Sequence, residues 1–435
     1  MMNVAARRVV SVTSRQVNNV ARRQLSALVE VTEEFPGLPS TTPTPAKASN
    51  ASVTTLANGL VVVTEDAAST STVTITYPKA GSGSEGLGEQ GAALVNKCLA
   101  FNSGSGLSTI MINRTIENEG AVPFATADRF GATLGYTVEP ANAIGLVPLL
   151  ATDCTFEKWD VRDAKTLAAY QVAEANKSAQ VVLTEQIYAA AYGPQSPLGR
   201  PFYNADASTH EVVSFRGRGY GLNGAILAAT GVKDHAAFCT EVAELLSESP
   251  VGSAEAAPKA AYLGGEARLA APSAGYAHVA LAFNAAVPSA MRGVLKHYFN
   301  LAGKSAGVTG FATPGLVGVY VGAPSESVGS LQSAIIGTLT AAVSPEAVGK
   351  AKTLAKAEAL FALDCGSKGL AAAMTAGVLE SGKFTNAAAV AASFDAITEA
   401  SVASTLATVL KTNPSLAAVG DITSLPYQGS FASAL

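Results

Sequence analysis

The side chains that most often bind metal ions or transfer protons are few in this chain and lie far apart. Its four histidines are separated by 25, 43 and 19 residues, at His210, His235, His278 and His297. Two histidines reach one metal ion from a single helix when they are three or four residues apart, and no pair here has that spacing. The four cysteines form no Cys-x-x-Cys pair, which disfavours a zinc knuckle or a redox motif. They are Cys98, Cys154, Cys239 and Cys365.

Two other kinds of site receive little support. The segment 307–310, Gly-Val-Thr-Gly, lacks the Lys-Ser/Thr ending of a phosphate-binding loop. Nothing in the order or spacing of serines, histidines and acids marks a Ser-His-Asp triad. Scattered, unpaired thiols are typical of a reducing compartment.

Length and composition predict several domains whose surface is partly covered by partners. A chain of 435 residues exceeds one compact core. Apolar residues make up 48% and charged residues only 14%, a low charged fraction for a soluble protein; an alanine-rich genome would give the same bias. The uncharged stretch 305–325 is interrupted by glycine and proline and alternates like strands, so we expect no transmembrane helix.

The N-terminus has the composition of a mitochondrial presequence. Residues 1–29 contain five arginines, no lysine and no acid, and the first acid is Glu30. The membrane potential drives such a cation toward the matrix. Arg23-Gln24-Leu25-Ser26 resembles a cleavage pattern with the cut between Leu25 and Ser26. Residues 1–25 are therefore predicted as the presequence and 26–51 as a flexible leader. Cleavage leaves 24 basic and 33 acidic residues, or −9 (24 − 33), which excludes electrostatic affinity for nucleic acid.

The elements that must position any site fall into two halves of similar plan. Asn58-Gly59 predicts a tight hairpin turn, Thr72–Tyr77 a strand, and Gly91–Phe101 an apolar helix. Later segments predict further helices, including 141–152, 155–176 and 181–192. The strand at 278–286 corresponds to 72–79, and 415–420 to 225–231. We therefore predict an N-terminal domain at 52–246, a linker at 247–265 and a C-terminal domain at 266–435.

Several fragments, in order, resemble the pitrilysin/insulinase superfamily of zinc peptidases over about residues 52–430. They are 55–60 (Thr-Leu-Ala-Asn-Gly-Leu), 79–85 around Gly81-Ser82, 116–121 (Ile-Glu-Asn-Glu-Gly-Ala), and 189–200 with Pro197-Leu198-Gly199-Arg200. The resemblance implies an α+β fold of two homologous domains. Each would be a mainly antiparallel sheet packed with helices, the LuxS/metallopeptidase type.

Active members of that superfamily carry His-x-x-Glu-His on the first of these helices, and this chain does not. The two histidine positions hold Leu94 and Cys98, and the glutamate position holds Lys97. Glu174, 76 residues after Cys98, falls about where the third ligand is expected. Leucine has no donor atom, and a lysine cation cannot take a proton from zinc-bound water. The resemblance thus implies a pseudoenzyme with no catalytic residues, metal or cofactor, in which Glu174 is at most a remnant.

Mitochondrial members without the motif fall into two groups. One is the alpha-type subunit of the mitochondrial processing peptidase, which helps bind presequences and carries a dense glycine-rich loop. The other comprises the core subunits of ubiquinol–cytochrome c reductase, respiratory complex III. This chain has no run of three glycines, and Phe311, Gly315, Leu316, Gly318 and Tyr320 resemble a pattern of core protein 2.

Core protein 2 is therefore the favoured hypothesis, and the alpha-type subunit is the alternative. The favoured hypothesis implies a scaffold on the matrix side of the inner membrane, in a dimeric complex of the respiratory electron-transport chain. Its partners would be core protein 1 and the cytochrome b, cytochrome c-type and Rieske subunits. Membrane association would come through these partners alone.

Overall fold

The computed structural model describes residues 50–103, 106–151, 156–252, 260–384 and 386–435. The predicted presequence, its cleavage site at Leu25 and Ser26, nearly all of the leader and Cys154 lie outside these residues. The described strands form two sheets. The first contains β1 (Ala51–Thr55), β2 (Val61–Glu65), β3 (Ser71–Tyr77), β4 (Val122–Ala127), β5 (Ala132–Val138) and β6 (Ile226–Ala229). The second contains β7 (Gly265–Ala270), β8 (Tyr276–Asn284), β9 (Thr309–Thr313), β10 (Leu316–Pro324) and β11 (Ser415–Gly420).

The two sheets repeat one topology. Their strand orders are β1-β2-β6-β3-β5-β4 and β7-β11-β8-β10-β9, so without β1 the first order maps onto the second strand by strand. Each sheet has one parallel pair, β2 with β6 and β7 with β11, and its other pairs are antiparallel. The predicted correspondences of 72–79 with 278–286, and of 225–231 with 415–420, fall on equivalent strands. The predicted α+β class is confirmed.

The first hairpin forms where the Asn-Gly pair predicts it. Gly59 has a φ of +82°, a left-handed conformation that residues with a β-carbon rarely adopt. The Asn58 side chain accepts a hydrogen bond from the Leu60 amide at 3.1 Å and closes the turn. β1 begins at Ala51, which lies opposite Glu65 at the end of β2.

Helices cover both sheets. In the first half they are α1 (Ala92–Cys98), α2 (Thr109–Asn118), α3 (Lys158–Ala175), α4 (Ala179–Tyr192), α5 (Thr209–Gly219) and α6 (His235–Leu245). In the second half they are α7 (Ser289–Gly303), α8 (Leu331–Leu339), α9 (Pro345–Asp364), α10 (Gly366–Ser381), α11 (Ala387–Asp395), α12 (Glu399–Leu410) and α13 (Gln428–Ala432). Ser344 caps α9 by accepting from the Ala347 amide at 3.2 Å, with Pro345 at the first helical position.

Two local predictions were wrong. Residues 141–152 were predicted to be helical, but the described part forms two short 3-10 turns, Pro140–Asn142 and Val147–Leu150. Pro148 lacks an amide hydrogen and its ring clashes with the preceding turn, so an α-helix cannot run through it. The loop at 81–88 was predicted to be polar, yet Gly81, Ser82 and Gly83 are buried. A β-carbon at Gly81 would lie 2.5 Å from the Arg129 carbonyl oxygen, so only glycine allows this approach.

Each sheet has a core on one face and a helix from the other half of the chain on its opposite face. The first core joins Val73, Ile75 and Leu134 to helices α1, α3 and α5. The second joins strands β8 and β10 to α7, α9 and α12. On the opposite faces, α10 packs on β3 and β6, and α4 packs on β7, β8 and β11. The halves therefore exchange one helix each.

A membrane-crossing helix is not among the described elements, since none is both long and apolar enough.

Candidate functional site

Helix α1 occupies the place of the zinc-motif helix and is held by its own N-terminal cap. Gly91 precedes the helix with a φ of +90°, and the Glu85 carboxylate accepts from the Gly91 amide at 3.3 Å and the Ala93 amide at 2.9 Å. These bonds satisfy amide groups that a helix start leaves unpaired. The residues from Ala92 to Asn96 are all buried, so the cap anchors a core element.

Leu94, at the first histidine position, is a core side chain. It is fully buried and belongs to the same hydrophobic cluster as Val95 and Ile112. An imidazole there would have to point out of this cluster to reach a metal ion. The packing of α1 has thus taken over a position that the peptidases give to a ligand.

Lys97 and Cys98 share one partner on the neighbouring helix. The Lys97 ammonium donates to Gln171 Oε1 at 3.0 Å, and Gln171 Nε2 donates to Cys98 Sγ at 3.4 Å. One amide therefore ties α1 to α3 using both of its ends. Three neutral or cationic groups stand where a metal and its ligands would join the same two helices.

The Cys98 thiol is poorly suited to bind a metal ion. Burial raises its pKa, while the Lys97 charge and the Gln171 hydrogen bond oppose that effect without cancelling it. Only the thiolate is a good ligand. The thiol therefore stays protonated near neutral pH and behaves as a small packed side chain.

Glu174 is not brought to this cluster. Its side chain is 74% exposed and pairs with Lys177 at 2.7 Å. Gln171, which the sequence analysis missed, holds the position on α3 that faces Cys98. The signal was available in the register of α3, because Gln171 lies three residues after buried Ala168 and seven after buried Ala164, on the same helical face.

Asn96 fixes α1 against a second neighbour. Its Nδ2 donates to the carbonyl oxygens of Ala92 at 2.9 Å and Val212 at 3.1 Å, the latter on α5. The Asn96 Oδ1 is buried and has no partner among the described residues. An unsatisfied buried acceptor costs stability, so the two donated bonds matter more than usual for holding the amide in place.

Two arginines close the loop that leads into α1. Arg200 Nη1 donates to the carbonyl oxygens of Glu85 at 2.8 Å and Gly86 at 2.9 Å. Arg218 donates to both carboxylate oxygens of Glu89, from Nη1 to Oε1 at 3.1 Å and from Nη2 to Oε2 at 2.6 Å. Burial raises the pKa of Glu85 to about 7, because it outweighs the two amide hydrogen bonds and the Arg200 charge. The cap of α1 therefore titrates near neutral pH.

No cluster of three or more histidine, cysteine, aspartate or glutamate side chains able to hold a metal ion occurs among the described residues. The histidines serve separate local structures. His235 bonds Thr54 and Thr64, each at 2.8 Å, and His278 bonds Tyr320 at 2.7 Å. His297 contacts Glu358 at 2.7 Å.

Comparisons with known proteins agree with this geometry. Residues 60–206 match the family model described as Insulinase (Peptidase family M16). The chain is 30% identical over 240 residues, 53% of its length, to the mitochondrial-processing peptidase subunit alpha of Solanum tuberosum. It is 29% identical over 225 residues, 49% of its length, to the probable mitochondrial-processing peptidase subunit alpha-2, chloroplastic/mitochondrial, of Arabidopsis thaliana.

The matched regions cover 47% and 44% of these two relatives, so the chain spans about half the length of the curated relatives that it matches. Both are alpha subunits of a processing peptidase, which favours the alternative over core protein 2. Residues 60–206 are thus similar to the insulinase type, peptidase family M16, and the motif positions within them hold Leu94, Lys97 and Cys98.

Proposed function

We propose that this chain is a non-catalytic alpha-type subunit of a mitochondrial processing peptidase, which binds presequences beside a zinc-bearing partner. The observation that carries the proposal is the Lys97–Gln171–Cys98 cluster, which joins α1 to α3 where an active peptidase would hold zinc. The similarity to two alpha subunits supports the type of subunit.

This chain would supply a scaffold and a binding surface, and its partner would supply the catalytic residues. The cluster offers one amide, one protonated thiol and one ammonium, and none of these activates water as a zinc-bound site does. The cap from Glu85 and the anchor from Asn96 nevertheless keep α1 in a fixed place. Such a scaffold is useful when a partner supplies the catalytic residues and this chain supplies binding surface.

A mitochondrial location, on the matrix side, belongs to the same proposal. The arginine-rich, acid-free segment 1–29 supports it, and both relatives are named as mitochondrial proteins. Under this proposal the chain works in the matrix with a beta-type subunit.

Core protein 2 of respiratory complex III is the second candidate, and one observation favours it. The chain contains no three consecutive glycines, whereas the alpha-type subunit carries a dense glycine-rich loop. The segment 311–320, which resembles core protein 2, forms the β9–β10 hairpin, with Gly315 at a φ of +85°. Under this candidate the chain is a scaffold with core protein 1 and the cytochrome and Rieske subunits as partners.

Affinity purification from mitochondria, followed by a native gel, tests the two candidates. The alpha-type proposal expects the chain in the soluble fraction, in equal amount with a zinc-containing subunit, and expects the pair to cleave a presequence peptide. Co-migration with haem b and haem c, and no cleavage, would overturn it in favour of core protein 2. Zinc-dependent cleavage by the purified chain alone would exclude both.

A further inference from the structure

A cleft lies between the first sheet and α10, on the face opposite α1. Its volume is about 840 Å³, within the range of ligand pockets. Residues Thr74, Thr76, Thr126 and Thr133 form its floor, and Phe124 lies at one side. The opposite wall is one face of α10, from Lys368 to Glu380. The degenerate motif residues take no part in it.

The floor offers hydrogen bonds that the protein itself does not use up. The hydroxyls of Thr76 and Thr133 lie 2.8 Å apart, so one of their two hydrogens is shared and the other is available. Thr126 is exposed on the edge strand β4. Hydroxyls that lie side by side on three neighbouring strands suit the backbone of an extended chain better than an apolar ligand.

The lining residues of α10 indicate the length of the cleft. Its wall runs from Lys368 to Glu380, twelve residues of helix or roughly 18 Å. An extended peptide advances about 3.3 Å per residue, so about five residues match this length.

The charges in the cleft are separated along its length. Lys368 lies at one end, 3.9 Å above the Phe124 ring, and it forms no ion pair with a described residue. The strand register shows how far apart the two charges lie. Phe124, below Lys368, is level with Thr74 of β3, whereas Asp128 follows the end of β4, which is level with Tyr77. Lys368 and Asp128 are thus several residues apart along the strands.

The second end has a net negative charge. Asp128 and Glu380 contribute two carboxylates there, against the guanidinium of Arg292. Asp128 Oδ1 accepts from the amides of Phe130 and Gly131, and Glu380 accepts from the amide and hydroxyl of Ser289. These bonds orient both carboxylates without neutralising them.

We infer that this cleft binds an extended peptide of about five residues, with a basic side chain at the Asp128–Glu380 end and the backbone along the threonine floor. The inference rests on the proposed function, because it assigns presequence binding to one place in this chain. Lys368 repels a second basic residue at the other end and so sets the position of the peptide.

Fluorescence anisotropy of the full chain tests the inference. The probe is a labelled six-residue peptide with blocked termini, one terminal arginine and a central proline that prevents helix formation. Its control replaces arginine by citrulline, which keeps the shape and removes the charge. We expect about tenfold tighter binding of the arginine peptide at low salt.

The double variant Asp128→Asn, Glu380→Gln should abolish that preference, since both changes remove the charge. Asp128→Asn keeps the oxygen that accepts from Phe130 and Gly131, and Glu380→Gln keeps one of the two oxygens that accept from Ser289. Lys368→Met should tighten binding of the arginine peptide about threefold. Asp163→Asn, an exposed carboxylate on α3 that pairs with Arg162, is the matched control and should change nothing.

Equal binding of the arginine and citrulline peptides, or an unchanged preference in the double variant, would overturn the cleft as the site. So would binding by a helix-forming peptide alone. None of these results bears on co-purification with a zinc-containing subunit, so a wrong site and a wrong proposed function give different outcomes.

Discussion

The two sheets have the same strand order but opposite chemistry on the faces that receive the exchanged helices. On the first sheet, β3 presents Thr72, Thr74 and Thr76 on the face that α10 covers, and the apolar side chains of α10 pack on Val63, Ile226 and Ala228. On the second sheet, α4 brings Tyr188 and Tyr192 onto small residues, which are Ala280, Ala282 and Ala417. The second face is filled and the first retains a cleft. Two sheets of the same topology can thus differ in function: the face of the second sheet packs tightly against its helix, and the face of the first sheet leaves a cleft that can hold a ligand.

The helices that follow β3 and β8 differ in a similar way. Both α1 and α7 begin beside a carboxylate, Glu85 in the first half and Glu380 in the second. Glu85 is buried and its pKa is raised, as described above. Partial burial alone would raise the pKa of Glu380, but its hydrogen bonds from Ser289 and the Arg292 charge together lower it. Equivalent caps therefore respond to pH in opposite directions.

The largest effect is expected where the β4–β5 loop contacts the exchanged helix α4. Arg129, on the β4–β5 loop, forms a buried ion pair with Glu185 of α4 at 2.5 Å and lies 4.3 Å from the Tyr188 ring centre. Arg129→Met leaves the Glu185 carboxylate buried and unpaired, and should lower the free energy of unfolding by about 3–5 kcal/mol. Urea denaturation measures it.

Adding Glu185→Gln to Arg129→Met should recover part of the loss, since the second change removes the unpaired charge. Arg162→Met, in an exposed pair with Asp163, is the control and should have little effect. A similar loss in the control would contradict the view that α4 is anchored through a buried charge.

Truncating one buried side chain on each exchanged helix compares the two contacts directly. Met374 of α10 and Ile187 of α4 are 0% and 2% exposed. Met374→Ala and Ile187→Ala should each lower the free energy of unfolding by about 3 kcal/mol, through lost burial and a residual cavity. Calorimetry should show one transition for each variant. Two separate transitions would mean that the halves unfold independently despite the exchange.

The two caps should show opposite pH dependence. The pKa of Glu85 is raised from 4.5 to about 7, so its folded form holds a proton that the unfolded form releases. The stability that the protonated Glu85 contributes to the folded state is fully present below pH 4.5 and is lost as the pH rises through 7. Glu85→Gln should therefore gain stability relative to the native chain over this range, by about 2–3 kcal/mol.

Glu380→Gln should do the reverse, losing stability above pH 4.5 and converging with the native chain as the pH falls. Thermal melts from pH 4 to 8 give both curves. Parallel curves for the two variants would contradict the difference between the caps.

The smallest effect is expected on the threonine floor. Thr76→Val with Thr133→Val replaces a hydrogen-bonded pair by two apolar groups of similar shape, which should change the free energy of unfolding by less than about 1 kcal/mol. Binding of the arginine peptide should nevertheless weaken severalfold. If stability falls strongly while binding is unchanged, the polar face serves the fold rather than a ligand.

Local sequence signals predicted much of the fold, and tertiary contacts account for what they missed. Asn58-Gly59 and Ser344-Pro345 carry their conformations in their own chemistry, so the turn and the helix start could be predicted. The burial of Gly81 could not, because it depends on the backbone near Arg129, far along the chain. The helix exchange was also missed, since apolar periodicity shows that a helix is buried but not against which sheet.

The sequence predicted which zinc-motif residues are absent from the candidate site, but it did not predict which side chains contact each other there. The residue types alone show that Leu94 and Lys97 do not form a catalytic zinc site. The spacing of 76 residues from Cys98 led to the prediction of Glu174, but the residue that contacts Cys98 is Gln171. The register of α3 places Gln171 on the buried face, and that signal was not used. Register within a helix is a more local constraint than spacing across loops. The domain boundaries at 246, 247 and 265 stay a prediction.

The helix exchange has a consequence for biosynthesis. β6 ends at Ala229 and α10 begins at Gly366, so the 136 residues of 230–365 must follow the completed first sheet before the helix that covers it begins to emerge. The tyrosines of α4 also lack one of their packing partners during this interval, because β11 begins only at Ser415. An emerging or imported chain therefore exposes two apolar surfaces until almost all of it has been delivered, and such intermediates are prone to aggregate. Holdase chaperones should bind it through most of that period and release it only when the last strand arrives.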